Sequence, residues 1–310
     1  MGRRSGIPGL SGPHPSSRSA PPQAEAQILG VTPVQHLKAL AAFVAVSLNL
    51  LFWCAPLLAV LVVRLLVPKA RPAAHRVSCG IYRSAVAFDD WWLTRISGAR
   101  WCRPRLDLDP ESACILVANH QSWADIFLLQ SAIVRRGPVI KFLCKRELAY
   151  IPVLGLIMMA FDFPIMRRRG RVGGSAEDRR RQDRERVRQA CAVLLEAPAA
   201  MLTFAEGTRF SEAKRRLSMS PHRHLLRPRA GGLTAIVEAL ASLRPPVLDI
   251  TIQYGRSAAF WAFLGGAGGP VTMTVRRFPL GEVLDAGPLE WLEERWRLKD
   301  ERLSAAAAAS

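Results

Sequence analysis

His120 and Asp125 are the residues of this sequence whose types and spacing best suit proton transfer. They lie in the segment NHQSWAD, residues 119–125, with the carboxylate five positions after the imidazole. A carboxylate that accepts a hydrogen bond from one ring nitrogen fixes the tautomer of a histidine, so the other nitrogen can take a proton from a hydroxyl. The pattern therefore predicts general-base chemistry. The alternatives are that Asp125 only completes a helix capping box with Ser122, and that His120 is a turn residue bonded to backbone.

A second segment, FAEGTR at residues 204–209, suits the binding of a phosphate group. Gly207 lacks a Cβ, so backbone N–H groups beside it can approach an oxyanion closely. Arg209 can bind phosphate oxygens through two of its nitrogens, and Glu206 then positions this arginine or binds a hydroxyl of the ligand. The alternative, which this segment taken by itself favours, is a surface loop with a solvated arginine.

The elements that carry these segments predict an α/β fold. From about residue 112 short apolar runs alternate with helical patterns, which favours a mixed sheet flanked by helices. His120 then follows a strand and precedes a helix, where side chains project into the crevice that binds ligands. The predicted strands are 113–117, 138–144, 163–166, 201–204, 247–254 and 271–278, and the predicted helices are 122–134, 177–196 and 232–242.

An uncharged run from Ala39 to Val63 precedes this region. At ~1.5 Å per residue a helix of this length exceeds the ~30 Å hydrocarbon core of a bilayer. It predicts a transmembrane or membrane-embedded helix, and the alternative is a buried core helix. Asn49 and Pro56 interrupt the run and leave open whether it crosses the membrane or re-enters. Basic residues follow it closely, which places its C-terminal side in the cytosol by the positive-inside rule.

The charge balance points to anionic partners. The formal net charge is +18 and the isoelectric point is about 10.9, which fits nucleic acid or an anionic membrane surface. Ten arginines lie between Arg167 and Arg188, without the interleaved aromatics of a nucleic-acid site. We therefore expect an anionic membrane or an anionic carrier protein, and no nucleic acid. The alternative for the arginine-rich stretch is a solvated helix face with i,i+4 ion pairs. The six cysteines lack zinc-site spacing, and no metal site is expected.

Composition divides the chain into five predicted parts. They are a disordered tail (1–36), a membrane segment (37–66), a connector (67–105), a catalytic domain (106–300) and a second disordered tail (301–310). Both tails lack the pattern of a packed element. The connector is basic and contains tryptophans, and it either lies at the membrane interface or packs on the catalytic domain through the same aromatics.

The two segments together resemble conserved blocks of the glycerolipid acyltransferases, of which the bacterial lysophosphatidic acid acyltransferases are typical. NHQSWAD is similar to the first block, and FAEGTR is similar to an FPEGTR block with Ala205 in place of proline. Residues 145–148 and 151–155 resemble the stretch between them, and residues 165–167 resemble the end of the second block. Residues 246–250 depart from the usual Val-Pro motif of the fourth block. The resemblance covers about residues 37–255.

This resemblance implies a reaction and a site. His120 would act as general base on an acceptor hydroxyl, and Asp125 would orient it. The hydroxyl would attack the thioester of acyl-CoA or of an acyl-carrier protein, with no further cofactor. The implied phosphate-binding residues are Lys145, Arg167, Glu206, Gly207, Thr208 and Arg209.

The predicted acceptor is a lysophospholipid, most simply 1-acylglycerol 3-phosphate, which would yield phosphatidic acid in phospholipid biosynthesis. The Ala- and Arg-rich composition is typical of a GC-rich bacterium, so we expect the bacterial inner membrane with the catalytic domain on the cytoplasmic side. One alternative is the same chemistry on another lysolipid or an amino-acid lipid. The other is a non-enzymatic basic protein that binds membranes or nucleic acid.

Overall fold

The structure is a computed structural model that describes residues 31–134, 137–166, 176–191, 194 and 199–308. Its helices are α1 (Pro33–Leu66), α2 (Arg71–Trp91), α3 (Ala124–Ile133), α4 (Pro152–Ala160), α5 (Ala176–Cys191), α6 (Glu212–Leu217), α7 (Ala230–Ala239), α8 (Phe260–Leu264), α9 (Leu280–Ala286) and α10 (Pro288–Ala308). Its strands are β1 (Arg100–Trp101), β2 (Cys114–Ala118), β3 (Ile140–Phe142), β4 (Cys144–Lys145), β5 (Ile165–Met166), β6 (Ala200–Phe204), β7 (Val247–Tyr254) and β8 (Pro270–Phe278).

Six strands form one mixed sheet in the order β1-β8-β7-β2-β6-β3. β7 and β8 are antiparallel, whereas β1 with β8, β2 with β7, β2 with β6 and β3 with β6 are parallel. β4 and β5 form a separate parallel pair. The predicted α/β fold with a mixed sheet and flanking helices is confirmed. β2 lies inside the sheet, so its carboxyl end opens between β6 and β7.

Helices cover both faces of this sheet. The side chains of β2 alternate between the faces, as in any strand. Cys114, Leu116 and Ala118 join a core formed with α1, α2 and α3. Ile115 and Val117 join a core formed with α5, α7, α9 and α10. All five residues are buried, which explains why this strand is continuously apolar in sequence.

α1 begins at Pro33, so the predicted disordered tail that ended at residue 36 is too long. The Thr32 hydroxyl accepts a hydrogen bond from Gln35 N–H, and the Gln35 side chain accepts one from Thr32 N–H. This capping box, with proline at the first helical position, starts the helix. Residues 1–30 of the predicted tail lie outside the described residues.

α1 is the helix of the described residues that is long and apolar enough to cross a membrane. Its buried side is attached to the rest of the fold by polar contacts at two levels. Asn49 Nδ2 donates to Ala85 O and to Asp89 Oδ1 of α2, both at 2.9 Å. Near the C-terminal end, Arg64 forms a bidentate ion pair with Asp162 at 2.9 and 2.6 Å. The asparagine that interrupts the apolar run therefore joins two helices.

The predicted connector, residues 67–105, consists mainly of α2 and a π turn at Trp92–Ile96. One side of it packs on the α/β core, where Leu93 is buried and Gln130 Nε2 donates to the Tyr82 hydroxyl at 2.9 Å. Trp91 on the other side is half exposed. The aromatic residues are thus divided between the core and the surface.

α10 continues to Ala308, so the predicted disorder of residues 301–310 is wrong for residues 301–308. Two physical reasons account for the difference. Leu303 is buried in the core beneath the sheet, and alanine has the highest helix propensity of all residues, so the Ala-rich end extends the helix.

Candidate active site

Asn119 fixes the turn that presents the candidate base. β2 ends at Ala118, and the buried Asn119 side chain donates to Ile252 O at 2.9 Å and accepts from Ile252 N–H at 2.8 Å. These two bonds attach the turn to β7. The chain then enters α3 at Ala124, and His120 lies at the carboxyl end of the parallel strands.

His120 and Asp125 form the predicted pair. His120 Nδ1 lies 2.8 Å from Asp125 Oδ2, and Asp125 is fully buried. An ionised carboxylate only accepts hydrogen bonds, so Nδ1 carries the shared proton and Nε2 is the nitrogen that can take another. The same Oδ2 atom accepts from the N–H groups of Gln121 and Ser122 at 2.7 and 3.0 Å. Asp125 thus orients the imidazole and also accepts hydrogen bonds from the backbone N–H groups that precede α3.

The predicted capping box is only half formed. The helix N-cap is Trp123, not Ser122, and the Ser122 hydroxyl accepts from Ala124 N–H at 3.2 Å instead of from Asp125 N–H. The reason is that Asp125 Oδ2 draws three donors together, which tightens the turn before the first helical residue.

Two aromatic side chains that sequence reasoning missed hold this pair. The Tyr254 hydroxyl donates to Asp125 Oδ1 at 2.6 Å, and burial together with the Asp125 charge raises the pKa of Tyr254 well above its ordinary value. The tyrosine therefore stays a donor. The Phe204 ring stacks on the His120 ring with 3.9 Å between centroids. Phe204 ends β6 and Tyr254 ends β7, and both strands neighbour β2. The two residues can therefore be assigned to the site only once the strand order is known.

Glu206 is buried against the backbone of His120 and does not face an open ligand-binding site. It is 1% exposed, Oε1 accepts from His120 N–H at 3.0 Å, and Oε2 accepts from Leu226 N–H at 2.9 Å. Burial raises its pKa to about 7, against the effect of these two hydrogen bonds. This geometry differs from the predicted roles in binding phosphate, an acceptor hydroxyl or Arg209, because both carboxylate oxygens are engaged by backbone.

The rest of the FAEGTR segment adjoins the His120 turn. Phe210 N–H donates to His120 O at 2.7 Å, which joins the two motifs directly. Gly207 has φ of +70°, a conformation that favours glycine. Arg209 is exposed, and its guanidinium carbon lies 4.8 Å from the ring centroid of Trp123. The structure therefore brings the predicted base and the predicted phosphate-binding arginine to one surface.

Further basic side chains border this loop. Lys214 Nζ donates to the Thr208 hydroxyl at 2.8 Å and to Arg209 O at 2.9 Å. Arg229 N–H donates to Ala205 O at 2.7 Å, and its exposed side chain runs past Gly207. Sequence reasoning did not select either residue. Their position after a phosphate-type loop within a basic stretch was the available signal.

Two predicted phosphate-binding residues cannot be compared in the same way. The Lys145 backbone pairs with Met166 in the small β4–β5 sheet, but its side chain lies outside the described part of the chain. Arg167 lies outside the described residues altogether. Within the described residues no group of three or more His, Cys, Asp and Glu side chains could hold a metal ion.

An apolar cavity of about 640 Å³ opens beside the histidine turn. Trp123, which stacks under Arg209, forms part of its wall, as do Leu202 of β6 and Ile157 of α4. Most of the remaining wall comes from α1, α2, α3 and β3. A polar site with a candidate base thus borders a space that suits a long apolar chain.

Comparison with known proteins identifies the domain. A family model described as Acyltransferase matches residues 102–254, which include both motifs. Residues 102–254 are an acyltransferase domain. This confirms the resemblance to the glycerolipid acyltransferases.

Several relatives of the acyltransferase domain carry related names. A 1-acyl-sn-glycerol-3-phosphate acyltransferase gamma from Mus musculus is 25% identical over 75% of this chain and 65% of its own length. The human protein of the same name is 26% identical with the same coverage. A delta form from Bos taurus is 29% identical over 60% of this chain and 51% of its own length. The chain thus spans less than two thirds of these relatives.

The fold of the acyltransferase domain also has a solved counterpart. The crystal structure of the 1-acyl-sn-glycerophosphate (LPA) acyltransferase PlsC from Thermotoga maritima matches with a TM-score of 0.57. The match covers 91% of this chain and 98% of that chain at 17% sequence identity. The two proteins share a fold.

Proposed function

We propose that this protein transfers a fatty acyl group from acyl-CoA or an acyl-carrier protein to the hydroxyl of a lysophospholipid. The acceptor that fits best is 1-acylglycerol 3-phosphate, with phosphatidic acid as the product. One observation carries the proposal: the His120–Asp125 pair lies on the same turn as Trp123, whose ring contacts the Arg209 guanidinium and lines the apolar cavity. The names of the relatives agree with this acceptor.

The reaction follows from the orientation of the imidazole. His120 Nε2 takes the proton of the acceptor hydroxyl as its oxygen bonds to the thioester carbonyl carbon. The tetrahedral intermediate then breaks the carbon–sulfur bond, and the proton on Nε2 passes to the departing thiolate. General-base catalysis of this kind contributes roughly 10²–10⁴-fold to the rate. Asp125 stabilises the imidazolium that forms, and Tyr254 and two backbone N–H groups hold that carboxylate in place.

The basic loop supplies the positioning that a weak nucleophile needs. Arg209 and Arg229 are both exposed, and the Arg229 side chain lies beside Gly207, two residues before Arg209. We assign the acceptor phosphate to this place. An anchored headgroup makes attack by its hydroxyl effectively intramolecular. The acyl chain of the donor would occupy the apolar cavity, since its walls offer almost only carbon surface.

We place the domain on the cytoplasmic side of its membrane, held by α1. The most apolar 18-residue stretch of this helix has a mean hydropathy of 2.3, and only 17% of it is buried within the fold. The large side chains of Phe43, Leu48 and Phe52 on this helix are each more than half exposed. Basic residues just after α1 support the orientation. Lipid-soluble substrates would then reach the cavity, which α1 helps to line, from the bilayer.

The test uses the full-length protein in membranes with labelled acyl-CoA, labelled acyl-carrier protein and a panel of lysolipids. We expect transfer to 1-acylglycerol 3-phosphate, and we expect His120→Ala to abolish it while the thermal unfolding midpoint stays near wild type. His75→Ala on α2 is the matched control and should retain activity. Near-normal transfer by the His120→Ala protein would refute the mechanism.

The acceptor panel decides the substrate. If phosphate-free lysolipids or amino-acid lysolipids are better acceptors, 1-acylglycerol 3-phosphate is the wrong acceptor. The proposed acyl-transfer chemistry then still holds. No transfer from either thioester donor to any lysolipid would overturn the enzymatic proposal.

A further inference from the structure

One wall of the apolar cavity carries a carboxyl group. Asp89 of α2 lines the cavity together with Ile81, Ala85 and Val86 of the same helix. The helical spacing of these four residues places them on one face of α2. Asp89 therefore belongs to the helix face that is turned towards the cavity, although most side chains around that space are aliphatic or aromatic.

The Asp89 carboxyl group is only half engaged by the protein. Its Oδ1 atom accepts a hydrogen bond from Asn49 Nδ2 at 2.9 Å. Within the described residues, no donor bonds to its Oδ2 atom and no basic side chain forms an ion pair with it. Asp89 is half-buried and keeps accessible surface. One carboxyl oxygen is therefore left for a group that enters the cavity.

The neighbouring aspartate, Asp90, has a different environment. It forms a bidentate ion pair with Arg103 at 2.7 and 2.8 Å, and it accepts from the Ser131 hydroxyl at 2.5 Å. Asp90 does not line the cavity. Of these two neighbouring carboxyl groups, the one with an unused oxygen is thus the one that faces the cavity.

Two further polar side chains reach the same space. Asn49 of α1 and Gln130 of α3 both line it. Asn49 Nδ2 donates to Asp89 and to Ala85 O. Gln130 Nε2 donates to the Tyr82 hydroxyl. Both amide nitrogens are used within the protein, so the groups left to meet a ligand are chiefly oxygen acceptors, and their complement is a hydrogen-bond donor.

An unsubstituted alkyl chain offers no such donor. A chain that fills the cavity displaces water from Asp89, and a polar group that is buried without a partner loses its free energy of hydration. The connection between α1 and α2 does not require the carboxyl group either. Asn49 already donates to Ala85 O, and an uncharged acceptor at position 89 would serve for the second bond.

We propose that the cavity selects an acyl donor whose chain carries a hydroxyl group, and that Asp89 is the residue that recognises this hydroxyl. The proposal rests on the proposed function, because it assigns the acyl chain of the donor to the cavity. The hydroxyl donates to the unused oxygen of the carboxylate, and it bonds equally to a protonated carboxyl. The donor is thus a hydroxylated fatty acyl thioester, a narrower class than the fatty acyl donors of the proposed function.

A displacement assay measures this recognition without turnover. Full-length protein in detergent is loaded with a fluorescent polyene fatty acid. The probe is displaced by fatty acids of one chain length that carry either no hydroxyl or one hydroxyl at a chosen carbon. We expect wild type to bind at least one hydroxylated acid about five- to tenfold more tightly than the unsubstituted acid, the effect of one hydrogen bond.

Variants assign this preference to one side chain. The hydroxyl also changes how an acid partitions into detergent, so the ratio of the two affinities is compared between proteins. Asp89→Leu should remove the preference. Asp285→Leu, at an exposed aspartate of α9, is the matched control and should keep it. If Asp89→Leu does not fold, Asn49→Leu/Asp89→Leu carries the test, because it removes both partners of the hydrogen bond.

Donor competition tests the same role in the reaction. Hydroxylated and unsubstituted acyl thioesters of equal length are offered together with 1-acylglycerol 3-phosphate, so the ratio of the two products gives the ratio of their kcat/KM values. We expect this ratio to fall about five- to tenfold in Asp89→Leu and to stay unchanged in Asp285→Leu.

Failure of the inference differs from failure of the proposed function. Transfer of acyl groups with no preference for any hydroxyl position, or a preference that persists in Asp89→Leu, would overturn the role of Asp89 and leave the proposed function standing. A wild-type protein that transfers no acyl group from either thioester would overturn the proposed function and the donor class together, even if the displacement assay shows the preference.

Discussion

The Tyr254 hydroxyl donates to Asp125 Oδ1 at 2.6 Å, on the opposite oxygen of the carboxylate from the one that faces His120. Asp125 therefore has a donor on each oxygen, and its direction towards the imidazole is set by a residue from another strand. Hydrogen bonds to a charged group contribute more than neutral ones. Through this relationship Tyr254 helps to orient the candidate base, His120.

Tyr254→Phe should lower kcat by about tenfold, since a hydrogen bond to a charged group is worth roughly 1.5–3 kcal/mol. The KM for the acceptor should stay near wild type, because the hydroxyl contacts Asp125 and not the ligand. Steady-state kinetics with varied acceptor measures both. Tyr150→Phe changes an exposed tyrosine and is the control. A raised acceptor KM with unchanged kcat would contradict the assignment.

Arg209→Ala should raise the acceptor KM by about ten- to a hundredfold, the effect of losing a charge-assisted contact to phosphate. Arg209→Lys should recover part of it, because lysine keeps the charge without the planar pair of donors. Arg227→Ala removes an exposed arginine of the same basic stretch and serves as the control. An unchanged acceptor KM in Arg209→Ala would remove the phosphate role, and so would an equal effect on acceptors without phosphate.

Glu206 should make stability depend on pH near neutrality. Its pKa is raised from an ordinary 4.5 to about 7 by burial. The folded protein thus binds this proton more tightly than the unfolded chain, so its contribution to stability is complete below about pH 4.5 and is lost as pH rises through about 7. Glu206→Gln has no such proton, so the difference between wild type and variant in the free energy of unfolding should fall from pH 5 to pH 8. Denaturant unfolding in detergent measures it, and a constant difference would contradict the prediction.

Ile157→Trp should shorten the acyl chains that the protein accepts. Ile157 of α4 lines the apolar cavity and packs beside Met158 and Phe161. A larger ring there reduces the space for the end of a long chain, so activity with long-chain donors should fall several-fold relative to short-chain donors. Met159→Trp adds the same ring at a half-exposed position of the same helix and is the control. If the chain-length profile shifts equally in both variants, the cavity does not hold the acyl chain.

Sequence reasoning succeeded where local pattern and packing require the same residues. β7 was predicted residue for residue at 247–254, because it is rich in Val, Ile, Thr and Tyr, the β-branched and aromatic residues that favour strands. β2 and β6 were each found within one residue. The long apolar helix was predicted from its composition, although its capping box moves the start to Pro33.

Other elements lack such a pattern. α9 and α10 were not predicted. α10 mixes many charged residues with a few large apolar ones, and its buried residues are Trp291, Leu292, Trp296, Lys299 and Leu303. α2 shows as a connector in sequence for the same reason. These helices become recognisable as core elements only once the sheet they cover is in place.

His120, Asp125 and Arg209 could be selected from residue type and spacing, since a base needs a nearby carboxylate and a phosphate needs a guanidinium. The tertiary structure decided the contacts of Glu206 and Tyr254. Glu206 belongs to the phosphate-type motif in sequence, yet it binds the backbone of His120. The physical reason is that hydrogen bonds between strands and helices depend on which elements are neighbours, and sequence spacing carries no record of strand order.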